Sequence, residues 1–345
     1  MQADKHFHPC CCFIIPPKML RKLALDADPA ERKLLLDQLE RSAFIRGQRA
    51  ARGVAAPGLV GSNGEKHRTV YDAAHGTRLP GKRVRDENGA AVTDKAVNQA
   101  FDNAGTTYDF YLQVLHRNSI DGNGMRIDSS VHYSKKYNNA FWNGSQMVYG
   151  DGDGKLFNGF TGALDVIAHE LTHGVTQYMV PGGGLVYEGQ SGALNESISD
   201  VFGSVVKQWH LKQTPQQADW LIGAGILAPS VGKALRSMAQ PGNTAVTWSG
   251  DDQPATMAGY VEDGDVHTNS GIPNHAFYLA AMKLNVNSWE KAGPIWYQAL
   301  SLLSSNASFL DAANATVKAA QILYGAKSGE VAAVQAAWRE VGVLS

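Results

Sequence analysis

Residues 169–173 read His-Glu-Leu-Thr-His. Two histidines four apart can turn toward one point when the chain between them is helical, because positions i and i+4 of a helix project from the same face. Glu170 sits one residue on from the first histidine, where it can reach the same point as a general base. Two imidazoles and a carboxylate suit zinc, with a fourth position open for water. In that setting the ion lowers the pKa of the water to about 7 and polarises a carbonyl. The bland alternative is a chance pattern on an ordinary amphipathic helix. A second helical stretch weighs against it. Asn195-Glu196-Ser197-Ile198-Ser199-Asp200 offers Glu196 as third ligand, with Asp200 one turn later. Asp200 is placed to accept the second N–H of a ligand histidine and so fix its tautomer.

A further histidine lies in Asp265-Val266-His267-Thr268-Asn269-Ser270-Gly271. His267 can hydrogen-bond an oxyanion, with Asp265 orienting it. Taken alone, a glycine-flanked histidine is more often structural.

Composition narrows the class. The 345 residues carry 31 basic and 32 acidic side chains, net −1, and 44% are apolar. A sizeable core can form, and no basic surplus points to a nucleic-acid partner. The three cysteines are Cys10, Cys11 and Cys12. A disulfide framework is excluded for the main body, and adjacent cysteines bridge each other poorly. No apolar run approaches the roughly 18 residues of a membrane span. The early run from Cys10 to Ile15 falls short of the roughly 7–15 residues of a signal core, and Pro16-Pro17 ends it. Export, if it occurs, uses another route.

Texture divides the chain into four parts. Residues 1–52 are self-contained, with Pro16-Pro17 followed by a helical pattern from about Pro29 to Arg46. Residues 53–66 (GVAAPGLVGSNGEK) lack periodicity and read as an exposed, cleavable linker. Residues 67–162 look mixed, with strand-like pieces at Arg126–Tyr133 and Gln146–Tyr149, and one helix over Asp94–Leu115. Residues 163–345 are mainly helical: Ala163–Tyr178, Gly192–Trp209, Asn269–Leu284, Pro294–Ser304, Phe309–Tyr324 and Ser328–Val341.

Over residues 67–345 the sequence resembles the thermolysin family. The blocks that carry the likeness are 137–154 (YNNAFWNGSQMVYGDGDG), 169–176, 192–203, 235–238 (LRSM) and 266–271. The resemblance implies an α+β fold, with a mixed, β-rich N-terminal domain, a helical C-terminal domain and the active-site helix between them. It implies zinc held by His169, His173 and Glu196, and Glu170 as the base that activates water. Tyr187 and His267 resemble the pair that stabilises the oxyanion. Asp265 resembles the acid that orients His267, and Glu262 fits the spacing that other members use, so both stay open. Asn139 and Ala140 resemble the edge that holds substrate backbone. Arg236 resembles the residue that binds the carbonyl past the scissile bond. Phe157, Phe160, Val166, Ile222, Ile226 and Leu235 would line an apolar leaving-side pocket, or serve as plain core. The implied activity is endopeptidase cleavage before bulky hydrophobic residues of peptides and proteins, by a monomer without membrane or nucleic-acid partners. A silent binding protein and an exopeptidase are the alternatives.

Two departures from the family are informative. Asp165 and Asp219 match a double calcium site, but Lys207, Leu221 and Ala224 stand where acids are expected, and Lys233 replaces an acid of another site. A cationic lysine repels calcium, so calcium is doubtful there. The first 52 residues resemble the short inhibitory propeptide of the protealysin subgroup, through Ile14-Ile-Pro-Pro-Lys-Met-Leu20. A latent, secreted-type enzyme is implied, removing its own propeptide; a cytoplasmic zymogen released by another route is the alternative. Cys12 precedes a stiff extended stretch, Ile14 to Pro17, suited to a substrate cleft. Either a cysteine caps the zinc or the apolar residues alone plug the pocket.

Overall fold

The computed structural model describes residues 12–52 and 64–345. The N-terminal segment supplies β1 (Cys12–Phe13), α1 (Pro17–Asp26) and α2 (Pro29–Arg52). A mixed lobe follows: β2 (Arg68–Asp72), β3 (Lys82–Asp86), α3 (Lys95–Leu115), β4 (Ile127–Val131), β5 (Ala140–Trp142) and β6 (Met147–Tyr149). Then come α4 (Leu164–Met179), α5 (Gly189–Leu211), the antiparallel pair β7 (Leu221–Ile222) and β8 (Arg236–Ser237), and α6 (Val266–Asn269). The chain ends in α7 (Gly271–Leu284), α8 (Ala292–Leu300), α9 (Phe309–Tyr324) and α10 (Gly329–Glu340).

Six strands form one sheet in the order β1-β5-β6-β4-β2-β3. The inner pairs β6–β4 and β4–β2 are parallel, and the others antiparallel. The outer edge of β5 would expose unpaired backbone groups. Here the N-terminal segment covers it, with Cys12 opposite Trp142 and Phe13 opposite Phe141. The segment thus adds a strand to a sheet of the body it precedes, a form of peptide recognition that uses main-chain hydrogen bonds for affinity.

Helix α4 is buried on every side from Asp165 to Gln177, as a helix central to a large core must be. It lies against α5, which is equally buried over most of its length. Gly203 permits that approach: a Cβ there would stand 2.6 Å from the Asp165 carbonyl oxygen. One continuous core joins both lobes and takes in Ile14, Ile15, Met19, Leu20, Ala24 and Leu35 of the N-terminal segment.

The structure revises several expected boundaries. The helix expected to stop at Arg46 runs to Arg52, since nothing from Gly47 to Arg52 breaks it beyond one glycine. The stiff extended stretch ends at Pro16 (φ −61°, ψ 143°), and Pro17 opens α1; a proline at the first helical position loses no hydrogen bond. The helix expected over Asn269–Leu284 begins earlier, as the short α6, and is divided from α7 at Ser270. The helix expected over Pro294–Ser304 occupies Ala292–Leu300. Strands β2, β3 and β5 had no matching expectation, because five residues or fewer give little periodicity. Cys10, Cys11 and residues 53–63 of the expected linker lie outside the described residues.

Candidate active site

Helix α4 places His169 and His173 one turn apart, with their Nε2 atoms 3.1 Å from each other. Helix α5 brings the Glu196 carboxylate to the same point, with Oε2 3.4 Å from His169 Nε2 and Oε1 3.7 Å from His173 Nε2. Ligand atoms about 2.0 Å from one tetrahedral ion lie about 3.3 Å apart, so two imidazoles and a carboxylate at these separations fit a zinc-sized site. The opposite ring nitrogens are held. His169 Nδ1 donates to Asp200 Oδ1 at 2.8 Å, and His173 Nδ1 donates to Asn195 Oδ1 at 2.8 Å, with Ser199 Oγ 3.0 Å away. Each of these partners fixes a tautomer that leaves Nε2 free for a metal.

Two buried oxygens complete the test of fit. Glu196 Oε2 and Glu170 Oε1 are shut from solvent, and neither has a hydrogen-bond partner among the described residues. Such orphaned acceptors are costly unless an ion or water satisfies them. The donor set therefore suits a divalent ion.

Glu170 faces the cleft from α4, and its Oε2 accepts the Trp142 N–H at 2.9 Å. Burial pushes its carboxyl well above the usual range. Asp200, against its own burial, is held below that range by Arg236 and His169. Arg236 grips both oxygens of Asp200, at 2.6 and 2.7 Å, and Asn274 donates to Oδ2 at 2.8 Å. Arg236 therefore reaches the site through Asp200 while also lining the cleft beside Leu235 and Met19.

His267 stands on α6, where Asp265 caps the helix and sets the ring. Asp265 Oδ1 accepts from the His267 N–H and from His267 Nδ1, each at 2.9 Å. Between the two acids left open by the sequence, the geometry places Asp265 at the ring. Against burial, Glu196 and Asp265 raise the His267 pKa, which favours a protonated Nε2 donor. The Tyr187 hydroxyl donates to Glu196 Oε1 and lies 3.4 Å from His267 Nε2.

The N-terminal segment lies across these groups. His267 Nε2 donates to the Phe13 carbonyl at 3.1 Å. The Ile14 N–H donates to the Ala140 carbonyl at 3.2 Å. The Ile15 N–H donates to Asn139 Oδ1 at 3.0 Å, and Asn139 Nδ2 donates to the Ile15 carbonyl at 3.2 Å. The Phe13–Ile14 peptide bond is thus bracketed by residues expected to bracket a substrate bond. Ile14 and Ile15 are buried in one core with Phe157, Phe160, Val166, Ile222, Ile226 and Leu235. Further along, Lys18 pairs with Asp252, Gln38 bonds Lys136 and Asn138, and Arg49 donates to Gln177, one turn past His173.

Sequence reasoning missed Asn195, Ser199 and Asn274. Asn195 precedes Glu196 directly, so a search for acceptors near each ligand histidine had a signal to use. Arg49 and the Phe13 carbonyl carried none: one looks like any helix arginine, and a backbone oxygen has no sequence signature. Cys12 is disulfide-bonded, a bridge the sequence reading did not anticipate.

The chain matches two family profiles, "Thermolysin metallopeptidase, catalytic domain" over residues 61–177 and "Thermolysin metallopeptidase, alpha-helical domain" over residues 183–343. It is 46% identical over 341 residues to the "Extracellular metalloprotease" of Pectobacterium carotovorum subsp. carotovorum, covering 96% of each chain. It is 46% identical over 288 residues to "Protease PrtS" of Photorhabdus sp. (strain Az29), covering 80% of this chain and 76% of that one. The solved precursor of protealysin, a metalloproteinase from Serratia proteamaculans, superposes with a TM-score of 0.85 at 47% identity, over 96% of this chain and 99% of that one.

Proposed function

The chain belongs to the thermolysin family of metallopeptidases, and from that premise we propose that it cuts peptide bonds before bulky apolar residues and frees itself by removing its own N-terminal segment. It is a thermolysin-like neutral metalloprotease in a precursor form. The observation that carries the specific reading is the convergence of His169 Nε2, His173 Nε2 and the two Glu196 carboxylate oxygens, 3.1 to 3.7 Å apart.

Zinc bound there would polarise a substrate carbonyl and acidify a water. The remaining work falls to this chain's residues. Asp200 and Asn195 keep both imidazoles in the ligating tautomer. Glu170 takes the proton of the attacking water and delivers it to the leaving amine; its raised pKa in a buried site suits a group that must both accept and donate. His267, oriented by Asp265, and Tyr187 donate to the carbonyl oxygen as negative charge develops on it. Asn139 and Ala140 hold the substrate backbone in the extended form in which they now hold Ile14 and Ile15. Phe157, Phe160, Val166, Ile222, Ile226 and Leu235 are buried in the same apolar core as Ile14 and Ile15, which supports a preference for a bulky apolar residue after the cut bond.

The N-terminal segment supports latency, because it fills the substrate edge of β5. Release would follow cleavage in the linker beyond α2. At the locus where calcium was judged doubtful, the Lys207 ammonium lies 3.2 Å from Asp165, 2.9 Å from Asp219 and 2.9 Å from the Leu221 carbonyl. Lys233 donates to the Ala245 carbonyl. We infer that these cations stand in for calcium. Export is proposed on the name of the Pectobacterium relative, "Extracellular metalloprotease"; no described helix is long and apolar enough to cross a membrane.

The test is metal analysis joined to digestion of a long unlabelled protein. One zinc per chain and internal cuts before apolar residues, lost on chelation and restored by zinc, are expected. Terminal trimming would make it an exopeptidase. Bound metal without cleavage after removal of the segment would leave a silent binding protein.

A further inference from the structure

Strand β1 brings one more ligating side chain to the metal triangle. Cys12 is fully buried and sits opposite Trp142 on the cleft edge of the sheet. Its sulfur, a ring nitrogen of His173 and a carboxylate oxygen of Glu196 all lie within 4.8 Å of one another. A thiolate and an imidazole on one tetrahedral zinc lie about 3.6 Å apart, from bond lengths of about 2.3 and 2.0 Å. The sulfur is therefore within about an ångström of the separation that shared ligation with His173 and Glu196 needs. A second observation points to the same place: the buried Glu196 Oε2 has no hydrogen-bond partner among the described residues.

The Phe13–Ile14 bond poses a chemical question. It lies with its carbonyl on His267 and its amide on Ala140, the placement of a bond about to be cut. Loss of the nucleophile's position would protect it beyond what packing provides. Cys12 is disulfide-bonded in this structure, and all three cysteines of the chain stand at positions 10–12. A disulfide sulfur is a poor zinc ligand, whereas a thiolate binds zinc better than water does.

We propose that Cys12 is a redox-controlled fourth ligand of the metal, an inference that rests on the metallopeptidase reading above. Reduced, the thiolate takes the position that attack on the Phe13 carbonyl requires, and the chain is locked. Oxidised, the sulfur is tied up in its disulfide, the position is open, and latency rests on packing of the segment alone. The interconversion is balanced. A dithiol gives two electrons to the protein disulfide and closes to its own disulfide, the S–S bond of the protein becomes two thiols, and the Cys12 thiol gives its proton to solvent as it binds.

The test uses the full-length zinc protein and X-ray absorption at the zinc edge. A trialkylphosphine serves as reductant, because it adds no sulfur; with water it becomes the phosphine oxide and leaves two protein thiols. One sulfur neighbour of zinc is expected after reduction and none in the oxidised chain. Cys12→Ser should lose the sulfur under reduction, while Cys10→Ser with Cys11→Ser should keep it. No sulfur in the reduced wild type, or sulfur that survives Cys12→Ser, would overturn the assignment. Sulfur in both redox states would overturn the gating. Zinc content of the same samples keeps the two readings apart: one zinc per chain, lost in His169→Ala, upholds the metallopeptidase reading whether or not sulfur appears. Absence of zinc defeats that reading and this proposal together.

Discussion

His267 Nε2 lies 3.1 Å from the carbonyl oxygen of Phe13, so a group suited to a substrate's oxygen holds the chain's own N-terminal segment. The proposed latency and the proposed turnover draw on the same contacts, and each can be tested separately.

Ile14 is fully buried in the pocket core. Ile14→Ala should weaken the closed form by about 2–4 kcal/mol, so conversion of the oxidised full-length chain to its shorter form should speed up roughly 30-fold or more. The check is a time course by mass spectrometry. Unchanged conversion would remove Ile14 from the latency mechanism.

Glu170→Gln keeps shape and loses the proton acceptor. The variant should bind zinc normally and accumulate uncut. Turnover should drop by several orders of magnitude, beyond the roughly 10²–10⁴ of a single acid–base contribution. Near-normal proteolysis would end the mechanism.

In the matured enzyme, His267→Ala should lower kcat by about 10²–10³ with little change in KM, as for loss of one oxyanion donor. A pure KM effect would assign His267 to ground-state binding instead.

The Lys207 ammonium fills the space between Asp165 and Asp219. Calcium added to the mature enzyme should therefore leave Tm nearly unchanged. Lys207→Ala should cost about 3 kcal/mol, because it strands the buried Asp165 carboxylate. Recovery of that loss by calcium would show that the locus still binds the ion once the lysine is gone. A large calcium effect on the wild type would refute the substitution argument.

His132 lies between Asp151 and Asp94, 2.8 Å from each, and Asp94 caps α3. The Asp151 hydrogen bond, with Asp94 beside it and against partial burial, raises its pKa to about 9. The sign follows. A folded pKa above the unfolded value adds stability that is complete below about pH 6.5 and is lost as pH rises through about 9. After discounting for screening, roughly 1–2 kcal/mol is at stake. Calorimetry of wild type and His132→Asn should show a Tm gap at about pH 6 that closes by about pH 10. A gap independent of pH would assign the loss to packing.

The cluster of His169, His173 and Glu196 was legible in the sequence because helical spacing is local. His169 and His173 share a face by the pitch of the helix alone, and Glu196 and Asp200 repeat that relation on α5. Long periodic helices such as Phe309–Tyr324 were equally readable. Short strands were not. β1 and β5 hold only two and three residues, and their pairing depends on an edge that exists only once the sheet is built.

The sequence by itself determined which side chains are the candidate ligands and base, and the mixed-then-helical order of the chain, since each follows from residue type at short separation. Only the tertiary structure decided what the N-terminal segment does. The Phe13 carbonyl meets His267 across 254 positions of sequence, and Arg49 meets Gln177 across 128. It also chose Asp265 over Glu262 at His267, and put Lys207 between two acids. Contacts of that range depend on which surfaces the folded core brings together, and no local pattern of residues encodes a distance between them.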